Sequence, residues 1–131
     1  MQTTKLALAI VGGVVIGATA VAQTPAADTL VLKPIAATSG TGISNAPLID
    51  RKEIRVLRVD VVPGGVRNVH SHDDMQYHLF IPTSAGMQFE RQGEPTQMAA
   101  WQAQFIDGGT KHGFKNTGSS TVTIVEIFVK K

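Results

Sequence analysis

Three of the four histidines in this chain are spaced as the ligands of a metal site would be. His70 and His72 are one residue apart, and residues with that spacing point to the same side of a β-strand. His112 comes from a distant part of the sequence, between Gly109 and Asn116. Neutral imidazole is the commonest metal-binding side chain near pH 7. The pattern therefore predicts a site in which three imidazole nitrogens hold a metal ion on a β scaffold.

Short β-strands must carry these histidines, because the chain after residue 50 shows no amphipathic helical pattern. Apolar and β-branched segments alternate there with turns rich in glycine and proline. Many short strands at near-regular spacing predict an all-β sandwich or barrel, and the turns alone do not choose between the two. The predicted strands are Ile54–Val62, Val69–His72, Gln76–Ile81, Met87–Arg91, Trp101–Ile106, His112–Lys115 and Thr121–Val129.

The N-terminal part of the chain divides into two segments that precede this domain. Residues 1–22 resemble a secretory signal peptide, with Lys5, an uncharged apolar run and the small-x-small pattern Ala20-Val21-Ala22. The alternative, an uncleaved membrane anchor, is disfavoured because the uncharged stretch is short and contains glycines. We expect a periplasmic or secreted protein that has no membrane association after cleavage. Residues 23–48 are predicted to form an irregular arm, and residues 49–131 the single folded domain.

Composition excludes several classes of protein. Removing Lys5 from the 12 Lys and Arg leaves 11 against 10 Asp and Glu, so the predicted mature chain is nearly neutral. It has no basic run that would indicate a nucleic-acid partner. It has no cysteine, which excludes a disulfide scaffold, a thiolate zinc site and a cysteine nucleophile.

The histidines and their neighbouring glycines resemble the cupin family, whose two motifs are G(X)5HXH(X)3,4E(X)6G and G(X)5PXG(X)2H(X)3N. The resemblance covers about residues 54–130. It implies a cupin jelly-roll β-barrel with the histidines at the barrel mouth, a divalent transition metal as cofactor and a small molecule as ligand or substrate. The matching residues are Gly64, His70 and His72 in the first motif, and Gly109, His112 and Asn116 in the second.

Three departures from the family pattern matter for the site. The acidic ligand position holds Gln76, the following glycine is displaced to Gly86, and Asp107 replaces the proline of the second motif. We interpret Gln76 either as a neutral fourth metal ligand or as an amide that orients a histidine or a water. A site of three imidazoles and an amide would keep the full charge of its metal. Such a site favours an anionic substrate group or an activated water.

His78 has the same strand parity as Gln76, so we expect it to face the same pocket one layer further along. It could contact the substrate or the ligands, or it could be a hydrogen-bonded core histidine. In the first case His78 is the candidate catalytic residue, because it could act as the general base that a glutamine cannot be. We expect Asn116 to have a structural role, fixing the turn beside His112.

Three functions fit the sequence. The first is an exported enzyme of the dioxygenase, isomerase or lyase type that uses Fe, Mn, Zn, Ni or Cu on a small organic acid or carbonyl compound. The second is a non-catalytic module that binds a small ligand or a metal. The third is a structural barrel with an empty site that forms a homodimer through the 23–48 arm. The sequence does not choose the metal, because three imidazoles suit most of these ions.

Overall fold

The structure, a computed structural model, describes residues 30–131, which form nine β-strands and no helix. The predicted signal peptide and residues 23–29 of the predicted arm lie outside the described residues. Within residues 30–131, no helix is long and apolar enough to cross a membrane. The strands are β1 (Lys33–Pro34), β2 (Gly40–Asp50), β3 (Ile54–His70), β4 (Met75–Pro82), β5 (Met87–Arg91), β6 (Glu94–Gln97), β7 (Gln104–Asp107), β8 (His112–Asn116) and β9 (Val122–Lys130).

The nine strands form one curled, antiparallel sheet. Neighbouring strands follow the order β6-β5-β8-β3-β9-β4-β7. Strand β2 lies along the other edge of β3, and β1 lies beside β2. The prediction of an all-β jelly-roll barrel is confirmed.

The longest strand, β3, changes its pairing partner near Pro63-Gly64-Gly65. Residues 54–61 pair with β9, and β8 pairs with the part of β3 between Val66 and His70. The sequence predicts a turn at this point, but β3 runs through it without ending. Gly64 has a φ of +75°, a conformation that glycine adopts without the steric cost of a side chain. The segment is therefore a bend that lets one strand border both β8 and β9.

The predicted irregular arm of residues 23–48 needs a correction at its C-terminal end. Residues 40–48 belong to β2, an 11-residue strand that pairs along β3. Ile43 and Ala46 of this strand are buried. The Ala, Pro, Ser and Gly of this region carry no clear alternation, and the long neighbouring strand rather than local propensity decides the pairing. The folded domain therefore begins before residue 49.

Inward-facing side chains of the strands form the core. Two buried aromatic side chains, Phe80 and Phe89, contact each other with ring centroids 4.9 Å apart. The other buried members of the core are Ile43, Val59, Val61, Met87, Met98, Ile106, Phe114, Val122 and Ile124. Four polar residues are also buried, namely His78, His112, Asn116 and Glu126. Three of them, His78, His112 and Glu126, have ionisable side chains.

Candidate metal centre

The fold brings all four histidines to one place inside the barrel. His70, the last residue of β3, lies directly opposite His112, the first residue of β8, and their ring centroids are 4.4 Å apart. His72 follows in the connection to β4, with its ring centroid 4.8 Å from that of His70. His78, inside β4, lies 4.8 Å from His112 by the same measure. The predicted association of His70, His72 and His112 is therefore observed.

The nitrogen atoms of three of these rings lie close together, and two of them are already at the separation that one ion requires. The Nε2 atoms of His70 and His72 are 3.1 Å apart. The ligand nitrogens of His70, His72 and His112 all lie within 4.8 Å of one another. Two nitrogens that each lie about 2.1 Å from a shared metal, at angles of about 90–110°, are roughly 3.0–3.4 Å apart. The separation between His70 and His72 already meets that requirement.

Backbone carbonyls orient two of the rings. His70 Nδ1 lies 2.8 Å from the carbonyl oxygen of Asn68, and His112 Nδ1 lies 2.8 Å from that of Thr110. A carbonyl oxygen only accepts hydrogen bonds, so the proton of each neutral ring is on Nδ1. The lone pair is then on Nε2, the nitrogen that faces the other histidines. Metal-binding histidines are commonly held in their tautomer in this way.

Burial keeps these imidazoles neutral at physiological pH. Desolvation is the largest cause that lowers the pKa values of His70 and His72 to about 4. It also lowers the pKa of His112. A neutral imidazole has a lone pair to give to a metal, whereas a protonated one does not. The cluster is therefore ready to bind a cation near pH 7 without first losing protons.

Two ring nitrogens at the centre of the cluster are buried without a hydrogen-bond partner. They are the Nε2 atoms of His112 and His78. Buried polar atoms in native proteins are nearly always paired, and an unpaired one calls for an explanation such as an ion or a water. A set of neutral imidazoles with inward-facing lone pairs fits a divalent transition metal, and three such ligands leave coordination positions open.

A cavity of about 110 Å³ lies beside the histidines and contains charged groups. Its lining includes His70 and His72, the guanidinium of Arg67 and the carboxyl of Glu126. Glu126 is only 6% exposed. Burial raises its pKa to about 7, and the charge of Arg67 opposes that rise. The metal centre therefore opens onto a small chamber in which charged side chains lie among apolar ones.

Solved structures similar to this chain share its fold. A predicted oxalate decarboxylase from Thermotoga maritima has a TM-score of 0.71 at 19% identity, with 79% of this chain and 95% of that chain covered. The polyketide cyclase RemF from Streptomyces resistomycificus has a TM-score of 0.69 at 18% identity, with 79% and 75% covered. An RmlC-like cupin from Shewanella frigidimarina has a TM-score of 0.67 at 13% identity, with 80% and 87% covered. The chain has the cupin fold.

Comparison by sequence adds nothing to this likeness. No protein-family model matches the chain. No curated protein matches it either. The cupin fold of the chain is thus established through the structure.

The acidic ligand position of the first cupin motif does not reach the histidines. Gln76 is exposed, while Met75 is buried and lines the cavity. Met75 pairs with Lys130 and Tyr77 with Val129, so Gln76 is an extra residue at an irregularity of β4. Such a bulge interrupts the alternation of side chains. The expectation that Gln76 is a ligand or orients one is therefore not supported, because the bulge directs it outwards.

The same bulge separates His78 from Gln76. His78 is 2% exposed and faces inwards, so the expected shared parity of residues 76 and 78 is wrong, although the expected pocket-facing position of His78 is correct. Its ring also stacks on Phe128, with centroids 4.9 Å apart. Burial, followed by the charges of the other histidines, lowers the pKa of His78 to about 3. Its catalytic role stays a prediction, and this pKa makes it a weak base near neutral pH.

The asparagine of the second cupin motif is structural, as predicted, but it fixes the turn after β8 rather than one beside His112. Asn116 is fully buried, and its Nδ2 donates hydrogen bonds to the carbonyl oxygens of Val61 and Ser120. Its Oδ1 accepts a hydrogen bond from the backbone N–H of Gly118. The side chain thus ties the turn after β8 to β3, which holds the strand that begins with His112.

Sequence reasoning missed Glu126, although a signal was present. Thr121–Val129 reads as a near-continuous apolar strand, and Glu126 is the acidic residue within it. Val122, Ile124 and Phe128 share its parity and are buried. A carboxylate on the buried face of an apolar strand is costly unless it has a function or a partner. The position of Glu126 on the buried side of an apolar strand is therefore a signal that the sequence itself contains.

Proposed function

We propose that this protein is an exported enzyme of the cupin fold that uses a divalent transition metal to transform a small organic acid or carbonyl compound. His70, His72 and His112 would hold the metal. The observation that carries the proposal is the orientation of two of these rings by backbone carbonyls, which leaves their Nε2 lone pairs facing a common centre. The predicted signal peptide of residues 1–22 supports export.

The bound metal would polarise a carbonyl or carboxyl oxygen of the substrate, or lower the pKa of a bound water. The carbonyls of Asn68 and Thr110 keep the imidazoles in the tautomer that presents a lone pair. Phe128 packs against His72 and His78, with ring centroids 4.9 Å from each, and shields that side of the cluster from water. A dry, fixed environment of this kind strengthens electrostatic interactions with a reacting group.

The size and charge of the cavity support a small acidic substrate. Its volume of about 110 Å³ is somewhat smaller than the cavity of about 150 Å³ that binds benzene in an engineered protein. A substrate would therefore present a group of about six or fewer non-hydrogen atoms inside the barrel. Arg67 and Arg55 both line this space and favour a negative charge.

Metal analysis of the protein purified without a metal-affinity tag tests the proposal first. We expect about one equivalent of a transition metal per chain. The metal content of His72→Ala should be at least tenfold lower, because two imidazoles bind a metal more weakly than three. Asp74→Asn is the matched control, since this exposed residue lies in the same turn and is not a predicted ligand. It should keep the metal of the original protein.

Turnover is measured next, with the metal found in that analysis and a panel of small carboxylic acids and enolisable carbonyl compounds. We expect a product that disappears in His72→Ala while the circular dichroism spectrum stays the same. Absence of metal in both proteins, even after each candidate ion has been added, would contradict the proposal. The identity of the metal narrows the chemistry, iron favouring oxygenation and zinc or manganese favouring isomerisation or elimination.

A non-catalytic binding module is the second candidate function. The observation that favours it is the outward position of Gln76, which leaves no carboxylate or amide ligand from the first cupin motif at the three histidines. In that case metal binding mainly stabilises the fold. A chelator would then lower the melting temperature of the original protein but not that of His72→Ala, and no substrate of the panel would turn over.

A further inference from the structure

The chamber beside the metal centre contains a carboxyl group that the metal site does not use. Glu126 lies on β9 directly opposite Leu57 of β3 and Phe80 of β4. It therefore has apolar neighbours on both adjacent strands. Among residues 30–131, the carboxyl of Glu126 makes no salt bridge, and no hydrogen bond contributes to its pKa. A buried carboxyl with no fixed partner, lining a cavity, is available to a ligand.

Arg67 is the positively charged residue that acts on this carboxyl. Its charge lowers the pKa values of His70 and His72 and is the one charge that acts on the pKa of Glu126. Its only hydrogen bond among the described residues runs from Nη1 to the carbonyl oxygen of Ser39, at 2.7 Å. A guanidinium has five N–H donors, so most of them remain for a ligand. Arg67 thus lines the same cavity as His70, His72 and Glu126, and its charge acts on all three.

The second arginine of the chamber is less available. Arg55 Nε lies 3.3 Å from Asp50 Oδ2, and both side chains are close to half exposed. An exposed ion pair of this kind partly neutralises the arginine charge. Arg67 has no such carboxylate partner at ion-pair distance among residues 30–131. An anion that enters the chamber would therefore meet Arg67 as its principal charged partner.

We propose that Arg67 and Glu126 form a subsite for a small carboxylate, with Arg67 pairing with the ligand carboxylate and Glu126 holding a proton that it shares with a second oxygen of the ligand. The Glu126 carboxyl takes this proton from the solvent as the anion binds, because two negative charges in so small a chamber repel each other. In a reaction, the same carboxyl would return the proton to the substrate. The subsite specifies a small carboxylate as the ligand of the proposed enzyme, and so it rests on the proposed function.

Other groups that face the chamber do not titrate in the range where Glu126 does. The pKa values of His70 and His72 are lowered to about 4, and arginines stay charged to high pH. The ionisable residues that line the chamber are Arg55, Arg67, His70, His72 and Glu126. On the neighbouring strands, burial lowers the pKa values of His78 and His112 as well. A proton taken up between about pH 5.5 and 8 is therefore assigned to Glu126.

Calorimetric titration of the metal-free protein with pyruvate tests the subsite. Repeating it in buffers with different ionisation enthalpies measures the protons taken up on binding. We expect uptake near zero at pH 5.5 and above roughly half a proton at pH 8, with affinity falling about tenfold between pH 6 and 8. Pyruvamide, the neutral analogue, should bind at least tenfold more weakly than pyruvate at pH 6.

Substitutions assign the effect to the two residues. Glu126→Gln should bind pyruvate with no proton uptake and with an affinity that hardly changes with pH, because a glutamine stays neutral. Glu94→Gln, at an exposed position, is its matched control and should behave as the original protein. Arg67→Met should weaken binding at least tenfold, and Arg67→Lys should restore part of it. Arg58→Met is the matched control for Arg67→Met. Arg58 lies on the same strand, but it pairs with Asp60 and does not line the chamber.

Four outcomes would overturn the proposal. They are the absence of pyruvate binding at millimolar concentration, binding without proton uptake at pH 8, uptake that persists in Glu126→Gln, and unchanged affinity in Arg67→Met with Arg67→Lys also unaffected. The metal-free protein separates this test from that of the proposed function. If pyruvate binds with proton uptake but no metal ion binds, the subsite stands and the metalloenzyme proposal fails. If metal binds but pyruvate does not, the subsite fails alone.

Discussion

The two halves of the barrel interior are built from the same strands but differ sharply in chemistry. On β9 the inward positions are apolar at Val122 and Ile124, whereas Glu126 further along is a buried carboxyl. On β4 the buried imidazole of His78 lies only two residues from the buried ring of Phe80. We call the half that contains Val122, Ile124 and Phe80 the apolar half. The half that contains His78 and Glu126 is the polar half.

This contrast shows how the fold tolerates a polar interior. Buried imidazoles with unpaired nitrogens and a buried carboxyl each destabilise a folded chain. The apolar half supplies close-packed aromatic contacts, such as those of Phe80 with Phe89 and Phe114 at 4.9 and 5.0 Å between ring centroids. Its burial of apolar surface offsets the cost of the polar half. The comparison predicts that stability and ligand binding can be changed separately.

The largest effect is expected in the apolar half. Phe80→Ala should lower the free energy of unfolding by about 3–5 kcal/mol, because it removes a fully buried ring and leaves a cavity. Phe105→Ala is the matched control, since that ring is 51% exposed and its loss should cost less than about 1 kcal/mol. Denaturation in urea measures both values. The folded Phe80→Ala protein should still bind metal, and loss of metal binding would show that the two halves are not separable.

A smaller effect, which depends on pH, is expected in the polar half. Burial raises the pKa of Glu126 to about 7 from its usual 4.5, so the folded state binds the proton more tightly than the unfolded state. The stability contributed by the neutral carboxyl is present below pH 4.5 and is lost as pH rises through about 7. Relative to Glu126→Gln, the original protein should therefore lose about 3 kcal/mol of unfolding free energy over this range.

Urea denaturation of the metal-free proteins from pH 4.5 to 8 measures this difference. The histidines act in the opposite direction, because their lowered pKa values remove stability as pH falls below 6.5. Subtracting the curve of Glu126→Gln cancels that contribution. A difference that stays constant with pH would contradict the buried, ionisable state of Glu126.

The smallest effect is expected just outside the polar half, at Gln76. Gln76→Ala should change metal affinity by less than about twofold and stability by less than about 0.5 kcal/mol, since the side chain is exposed at the bulge of β4. Competition with a chromogenic chelator measures the affinity. A tenfold loss would mean that Gln76 turns inwards when the metal binds, and it would restore the motif-based expectation of a fourth ligand.

Much of the site could be predicted, because its signals are local. The spacing of His70 and His72, and the setting of His112 between Gly109 and Asn116, were visible in the sequence. The place of Gln76 could not be predicted, because a bulge in β4 breaks the alternation of strand side chains. Strand β2 was missed because its small and polar residues carry no pattern, and pairing with β3 decides its structure.

The sequence by itself determined the all-β class and the histidine trio, since strand periodicity and residue spacing depend on the local chain alone. Only the tertiary structure decided that Glu126 and Arg67 share a chamber with those histidines and that His78 rather than Gln76 faces them. These relations depend on register between strands far apart in sequence, and one inserted residue reverses which side chains point inwards. The physical reason is that pairing between strands, not propensity within one, sets what the interior contains.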